Sequence, residues 1–318
     1  MKREVYKYFK NLEDSSLTKR NGIYLYDYMH IKEASEDVKE DFSGLFPVVI
    51  DNKTTYIGKR VYNKLNKFDL NILASAKLYN DLGIPTPPAY VLKNDYYYTL
   101  TQDVTNLNNL NTELGRNIPE IFHISKFQIG TTASDTSRKW QLLFNQEAKD
   151  SLLEIMTPEC LEEFINNFII SELRMDGDTH SNNFFLYKKP NDKKFIGVIP
   201  IDLEYSAPLN YGAFSKKEFE NYISEYPYYT YSPYNIPCLH TYHEQHRAIC
   251  ELIHKGVLSP SQIELLKELL NYNFPKVIKE THEDVKAHTR IGEGKKLYDS
   301  ISRLWEYNIN HLGHELGM

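Results

Sequence analysis

The 318-residue sequence predicts an α+β protein in two lobes, a small β-rich first lobe and a larger, mainly helical second lobe. Three observations carry that expectation. Two pairs of short β-branched and aromatic runs precede residue 103, apolar positions at helical spacing dominate the remainder, and a dense polar cluster falls between residues 174 and 183. The corresponding divisions are an N-terminal extension over 1–40, a first lobe over 41–103 and a second lobe over 104–318.

The first forty residues mix charged and aromatic positions without a dominant period, which reads as a helical or irregular extension. Residues 46–50 and 54–59 are strand-like runs around Asp51-Asn52-Lys53, whose residue types suit a turn, so they pair as a hairpin with Lys59 ending the second strand. Residues 70–79 carry apolar positions at helical spacing, and Gly83 followed by Pro85 supplies a stop. A second hairpin is expected from 89–92 and 96–100, leading into the polar connector Thr101-Gln102-Asp103 where the lobes divide. Beyond it, Thr157-Pro158-Glu159 starts a helix through 170, and 259–270 and 296–311 are helical again, with a tyrosine- and proline-rich loop over 227–237.

Composition narrows the function classes. A net charge of −6 lacks the basic footprint of a dedicated nucleic-acid or anionic-membrane binder, so neither partner is expected. The chain has no apolar run of membrane-spanning length, and Met1-Lys2-Arg3-Glu4-Val5-Tyr6 lacks the apolar core of a secretory signal, so no cleaved signal or transit peptide is expected. Three scattered cysteines, Cys160, Cys238 and Cys250, suit free thiols in a reducing compartment, and a cytoplasmic location is expected. Cys238 with His240, His243 and His246 lacks the paired cysteines of a zinc site and reads as ordinary sequence.

The chemistry-bearing segment is Arg174-Met175-Asp176-Gly177-Asp178-Thr179-His180-Ser181-Asn182-Asn183. An apolar strand begins at Phe184, a Lys/Pro/Asn-rich turn follows over 188–194, and a second strand over 195–201 ends at Asp202. Such a hairpin brings Asp178 and Asn183 at its entrance towards Asp202 at its exit. Two acids and an amide on one rim suit phosphoryl transfer, whose catalysis is chiefly positioning and charge neutralisation. A magnesium ion takes one or two protein oxygens, here Asn183 and Asp202, and leaves its other sites to phosphate and water. Asp178 is then free to receive the proton of an acceptor hydroxyl.

The segment resembles the catalytic loop of the protein-kinase-like superfamily. The Asp178-to-Asn183 interval equals that between base and metal-binding asparagine in protein kinases, and Asp202-Leu203-Glu204 takes the place of their Asp-Phe-Gly. With the histidine after the aspartate, Asp178-x-His180-x-x-Asn183 preceded by Gly177 looks like HipA-type serine/threonine kinases and also like phosphoinositide kinases, the HipA-like match being nearer. Ser43-Gly44, Tyr56-Ile57-Gly58-Lys59 and Leu82-Gly83-Ile84-Pro85 extend the resemblance over residues 43–206.

The resemblance implies a bilobal protein-kinase-like fold using ATP and Mg2+. Lys59 would contact the phosphates, Ser43 and Gly44 would lie at the nucleotide loop, and Gln102 and Asp103 would face adenine. Asp178 would be the base, His180 would brace the loop, and Asn183 and Asp202 would hold the metal. The acceptor implied is a serine or threonine of a protein substrate, this chain included, and a separate regulatory partner accords with the family. No glutamate occurs between Asn71 and Asn80, where kinases place the lysine's partner, and Asp69 is the nearest substitute. A small-molecule or lipid kinase and a nucleotide-binding pseudokinase module are the alternatives.

Overall fold

Short runs rich in β-branched and aromatic residues pair into a seven-stranded sheet. Its members are β1 (Thr18–Arg20), β2 (Ile23–Asp27), β3 (Ile31–Glu33), β4 (Leu45–Ile50), β5 (Thr54–Val61), β6 (Ala89–Lys93) and β7 (Tyr97–Gln102). The order across the sheet is β1-β2-β6-β7-β5-β4-β3. The computed structural model describes residues 18–20, 23–27, 31–33, 45–50, 54–61, 64–84, 86–87, 89–93, 97–102, 120–123, 146–173, 183–201, 203, 249–250 and 252–318.

Both expected hairpins form, β4 with β5 and β6 with β7, and each pair is antiparallel. Two features differ from the sequence reading. The N-terminal extension contributes strands rather than helix or irregular chain, with β1 and β2 on one edge of the sheet and β3 on the other. β2 pairs in parallel with β6, far along the chain, and such non-local pairing leaves no period within the segment itself. Lys59 also lies inside β5 rather than at its end, flanked by Leu45 of β4 and Thr99 of β7. The tendency of lysine to close exposed edges does not account for that position.

Helix α1 (Lys67–Asp81) opens with a capping box. Asn66 Oδ1 accepts from the backbone N–H groups of Phe68 at 2.8 Å and Asp69 at 3.3 Å, and Asp69 Oδ2 accepts from that of Asn66 at 2.8 Å. The helix stops at Gly83, whose φ of +70° an L side chain resists. A second, three-stranded sheet holds β8 (Glu120–His123), β9 (Phe184–Lys188) and β10 (Gly197–Pro200) in the order β10-β9-β8. Helices α2 (Gln146–Ile155) and α3 (Pro158–Leu173) precede β9. After them come α4 (Pro260–Tyr272), α5 (Phe274–Val285), a single 3-10 turn over Lys286–His288 and α6 (Glu293–Glu315). The sequence reading anticipated α1, α3, α4 and α6 but not β8, α2 or α5.

Among the described residues two apolar clusters form the core. The smaller joins Leu152 and Met156 to Phe164 of α3, Phe184 and Leu186 of β9 and Val198 of β10, with the Phe164 and Phe184 rings edge to face at 5.3 Å. The larger takes Leu70, Ala74 and Leu78 from α1, Val91 from β6, Ile169 and Ile170 from α3, and Leu270, Phe274, Ile278, Ile301 and Trp305 from the C-terminal helices. Each fully buried leucine, isoleucine, valine or phenylalanine among them contributes about 1.5–3 kcal/mol. Backbone bonds stitch the same regions, since Leu65 N–H donates to His288 O and Arg290 N–H donates to Leu65 O, each at 2.9 Å. The expected lobe boundary at residue 103 lies outside the described residues, and the larger cluster draws on both sides of it. Among the described residues no helix is long and apolar enough to cross a membrane.

Candidate functional site around the β9–β10 hairpin

β9 is a continuous apolar run because its neighbours cover both faces, α3 and the smaller cluster included. Its register with β10 runs from Phe184↔Pro200 to Tyr187↔Gly197, so the hairpin's open end lies at Asn183 and Ile201. There the Ile201 N–H donates to the Asn183 carbonyl at 2.9 Å. Asn183 is 7% exposed. Asp202 follows Ile201 directly, and chain geometry holds consecutive Cα atoms about 3.8 Å apart.

The residues on either side of Asp202 are tied to the first part of the fold. Thr86 Oγ1, in the turn between α1 and β6, donates to the Pro200 carbonyl at 3.1 Å. Asn71 Nδ2, on α1, donates to the Leu203 carbonyl at 3.3 Å. Both bonds are buried. Asn71 and Ser75 have no exposed surface and share a face of α1 with Tyr79, each one helical turn from the next. The Tyr79 hydroxyl meets that of Ser171 on α3 at 3.4 Å. Glu163, Asn167 and Ser171 repeat the same spacing on α3 and are buried in turn, with Asn167 Nδ2 donating to the Glu163 carbonyl at 2.8 Å. Burying polar groups is costly unless they are bonded, and the Tyr79–Ser171 contact joins the two stripes at one point. The sequence carried that signal as Asn71, Ser75 and Tyr79 at four-residue intervals, which a search for apolar periodicity passes over.

Of the residues singled out from sequence, Asn183 is described in full, and Lys59 and Gln102 are placed by their backbone. Asp178, His180, Asp202, Ser43, Gly44 and Asp103 lie outside the described residues. Lys59 shares a rung that runs Leu45↔Lys59↔Thr99↔Val91↔Leu25 across five strands. Val91 and Thr99 on that rung are buried, and Gln102 pairs with Tyr56. Among the described residues no three His, Cys, Asp or Glu side chains converge as a metal-binding group. The amide of Asn183 and the carboxylate of Asp202 are hard oxygen donors, a set that fits magnesium rather than a softer ion. Thiolate chemistry is disfavoured at the described cysteines. Burial, with Glu163 and Glu159 adding to it, pushes the Cys160 thiol far up, and burial with Glu315 pushes Cys250 up to about 11.

No family model and no curated protein matches the chain. Two solved structures similar to it are those of a Helicobacter pylori proinflammatory kinase, CtkA, and of HipA from Shewanella oneidensis MR-1, the latter in a toxin–antitoxin complex with HipB and operator DNA. The first is 12% identical over 86% of this chain and 98% of that one, with a TM-score of 0.36. The second is 10% identical over 98% of this chain and 71% of that one, with a TM-score of 0.44.

Proposed function

We propose that this chain is an ATP- and magnesium-dependent phosphotransferase of the HipA-like serine/threonine kinase type, moving the γ-phosphate to a protein hydroxyl, its own included. One observation carries the reading. The Ile201–Asn183 backbone bond closes the hairpin at the point where the motif calls for two metal-holding residues, Asn183 and Asp202. The interior position of Lys59 in β5 supports it further.

In this reading Asn183 and Asp202 would hold the magnesium ion, which when bound neutralises charge on the phosphates. Lys59 reaches the phosphates, with Ser43 and Gly44 at the nucleotide loop, and the chain at Gln102 and Asp103 borders the adenine. Asp178 orients the acceptor hydroxyl and takes its proton as the acceptor oxygen bonds to the γ-phosphorus. The bond from that phosphorus to the β–γ bridging oxygen breaks, and ADP leaves with the electron pair. His180 braces the loop. A cytoplasmic location and a separate regulatory partner belong to the same proposal.

A second reading, a nucleotide-binding module without transfer, is favoured by one observation. Asp69, the nearest stand-in for the missing helix glutamate, is buried and engaged in the capping box of α1. Labelled ATP separates the two. Under the proposed function, wild-type protein with Mg2+ labels itself or a serine/threonine protein substrate, Asp178→Ala keeps nucleotide binding and loses transfer, and Asp202→Ala loses the metal-dependent part of binding. Binding without any transfer by the wild type establishes the module, and label moving only to a metabolite hydroxyl establishes a small-molecule kinase.

A further inference from the structure

We infer that Asn71 and Thr86 are positioning residues that clamp the backbone on both sides of Asp202 and so set the metal-binding carboxylate in place. The inference rests on the proposed function, which gives Asp202 its role, and goes beyond it by assigning two residues that the motif does not contain.

β10 is an edge strand of its sheet and ends at Pro200, so its carbonyls that face away from β9, and those of the chain just beyond it, have no strand to bond among the described residues. Water could bond them, but exchanging water leaves the segment free to shift. Two side-chain donors take that place, Thr86 Oγ1 at the Pro200 carbonyl, two residues before Asp202, and Asn71 Nδ2 at the Leu203 carbonyl, one residue after it. Both donors are almost wholly buried, Thr86 at 3% exposed and Asn71 at 0%. Buried donors of this kind are held by packing and hold their acceptors in turn, and a metal ligand works only when kept within about 0.5 Å of its productive position. Asn71 is itself fixed, because α1 belongs to the larger core. Through Tyr79 and Ser171 the same helix touches α3, whose C-terminal end leads into the Asp178 segment. α1 thus grips the chain at Leu203 and steadies the helix that leads to the base, through uncharged hydrogen bonds.

The test uses the full chain, Mn2+ as the metal probe and ATP as the nucleotide. Thr86→Val keeps the side chain's shape without a donor, Thr86→Ser keeps the hydroxyl, and Asn71→Leu removes the amide with the same number of side-chain heavy atoms. Losing one buried bond to this segment is expected to weaken Mn2+ binding in the presence of ATP about tenfold in Thr86→Val and in Asn71→Leu. ATP affinity in EDTA stays within about twofold of wild type, and Thr86→Ser restores Mn2+ affinity. In nucleotide-free protein, amide exchange at Ile201 and Leu203 quickens in the two deletion variants while exchange within β9 does not. Unchanged Mn2+ affinity in both variants, beside a wild type that binds Mn2+ and ATP together, overturns the clamp and leaves the proposed function standing. An equal loss of metal-dependent and metal-free nucleotide binding also overturns it, as the mark of general unfolding. A wild type that binds no Mn2+ with ATP overturns the proposed function and the clamp with it.

Discussion

Gly197→Ala puts the architecture of the β9–β10 hairpin to a direct test. Gly197 lies opposite Tyr187 in the ladder, and a Cβ added there falls inside the Tyr187 ring, against Oη, Cζ and Cε1. Tyr187 is 3% exposed, so its ring has no solvent to swing into and the neighbourhood must deform. Overpacking of this kind costs about 1–3 kcal/mol, and the backbone entropy saved by replacing a strand glycine returns about 0.5–1 kcal/mol. The net expectation is a loss of about 1–2 kcal/mol, read as a lower urea midpoint at unchanged slope. Removing the obstructing ring supplies the control. Tyr187→Leu destabilises by itself through the lost packing, but Gly197→Ala added to it should cost little, giving a coupling of about 1 kcal/mol or more. Gly197→Ala within about 0.5 kcal/mol of wild type, or strictly additive single variants, would refute the close approach and with it the register that puts Asn183 opposite Ile201.

Two further outcomes follow from the C-terminal helices. Asn273 ends α4 and begins α5 in the left-handed conformation, φ 57° and ψ 61°, while its Oδ1 accepts from Lys276 N–H at 3.2 Å. Asn273→Ala incurs both the left-handed strain and the lost cap, about 2–3 kcal/mol in a denaturation curve, whereas Asn273→Gly loses only a few tenths. His282 is held below its ordinary pKa of 6.5, first by burial and then by Lys286, against the opposing pull of Glu283. The unfolded chain therefore takes up that proton more readily, so stability is full above about pH 6.5 and falls as pH drops through the lowered folded value. Urea midpoints across that window should fall less steeply in His282→Gln than in wild type.

What could be read from sequence was whatever local chemistry specifies. α1 and α4 carry capping boxes at Asn66 and Ser259, and the β4–β5, β6–β7 and β9–β10 hairpins pair strands close in sequence, so turn residues and apolar patterns suffice. β2 takes its neighbour β6 from far along the chain and in parallel, which no window of residues reveals, while β1 and β3 are three-residue strands too short to show a period. α5 keeps helical spacing at Phe274, Val277, Ile278, Thr281 and Val285 although Asn273 and Pro275 are residue types that also end helices; proline is tolerated in a helix's first turn. The meeting of Asn183 with the chain before Asp202 was legible for the same reason as the hairpin. Asn71 and Thr86 were not, because the carbonyls they bond lie 132 and 114 residues away.

The proposed metal-holding role of Asp202, on which nucleotide binding would depend, is open to calorimetric titration of ATP with and without Mg2+ into wild type and Asp202→Ala. If Asp202 holds the metal, Mg2+ strengthens wild-type binding by about tenfold or more, and the gain vanishes in Asp202→Ala while binding in EDTA is unchanged. An Asp202→Ala protein that keeps the full Mg2+ gain, or a wild type whose ATP affinity ignores Mg2+, contradicts it.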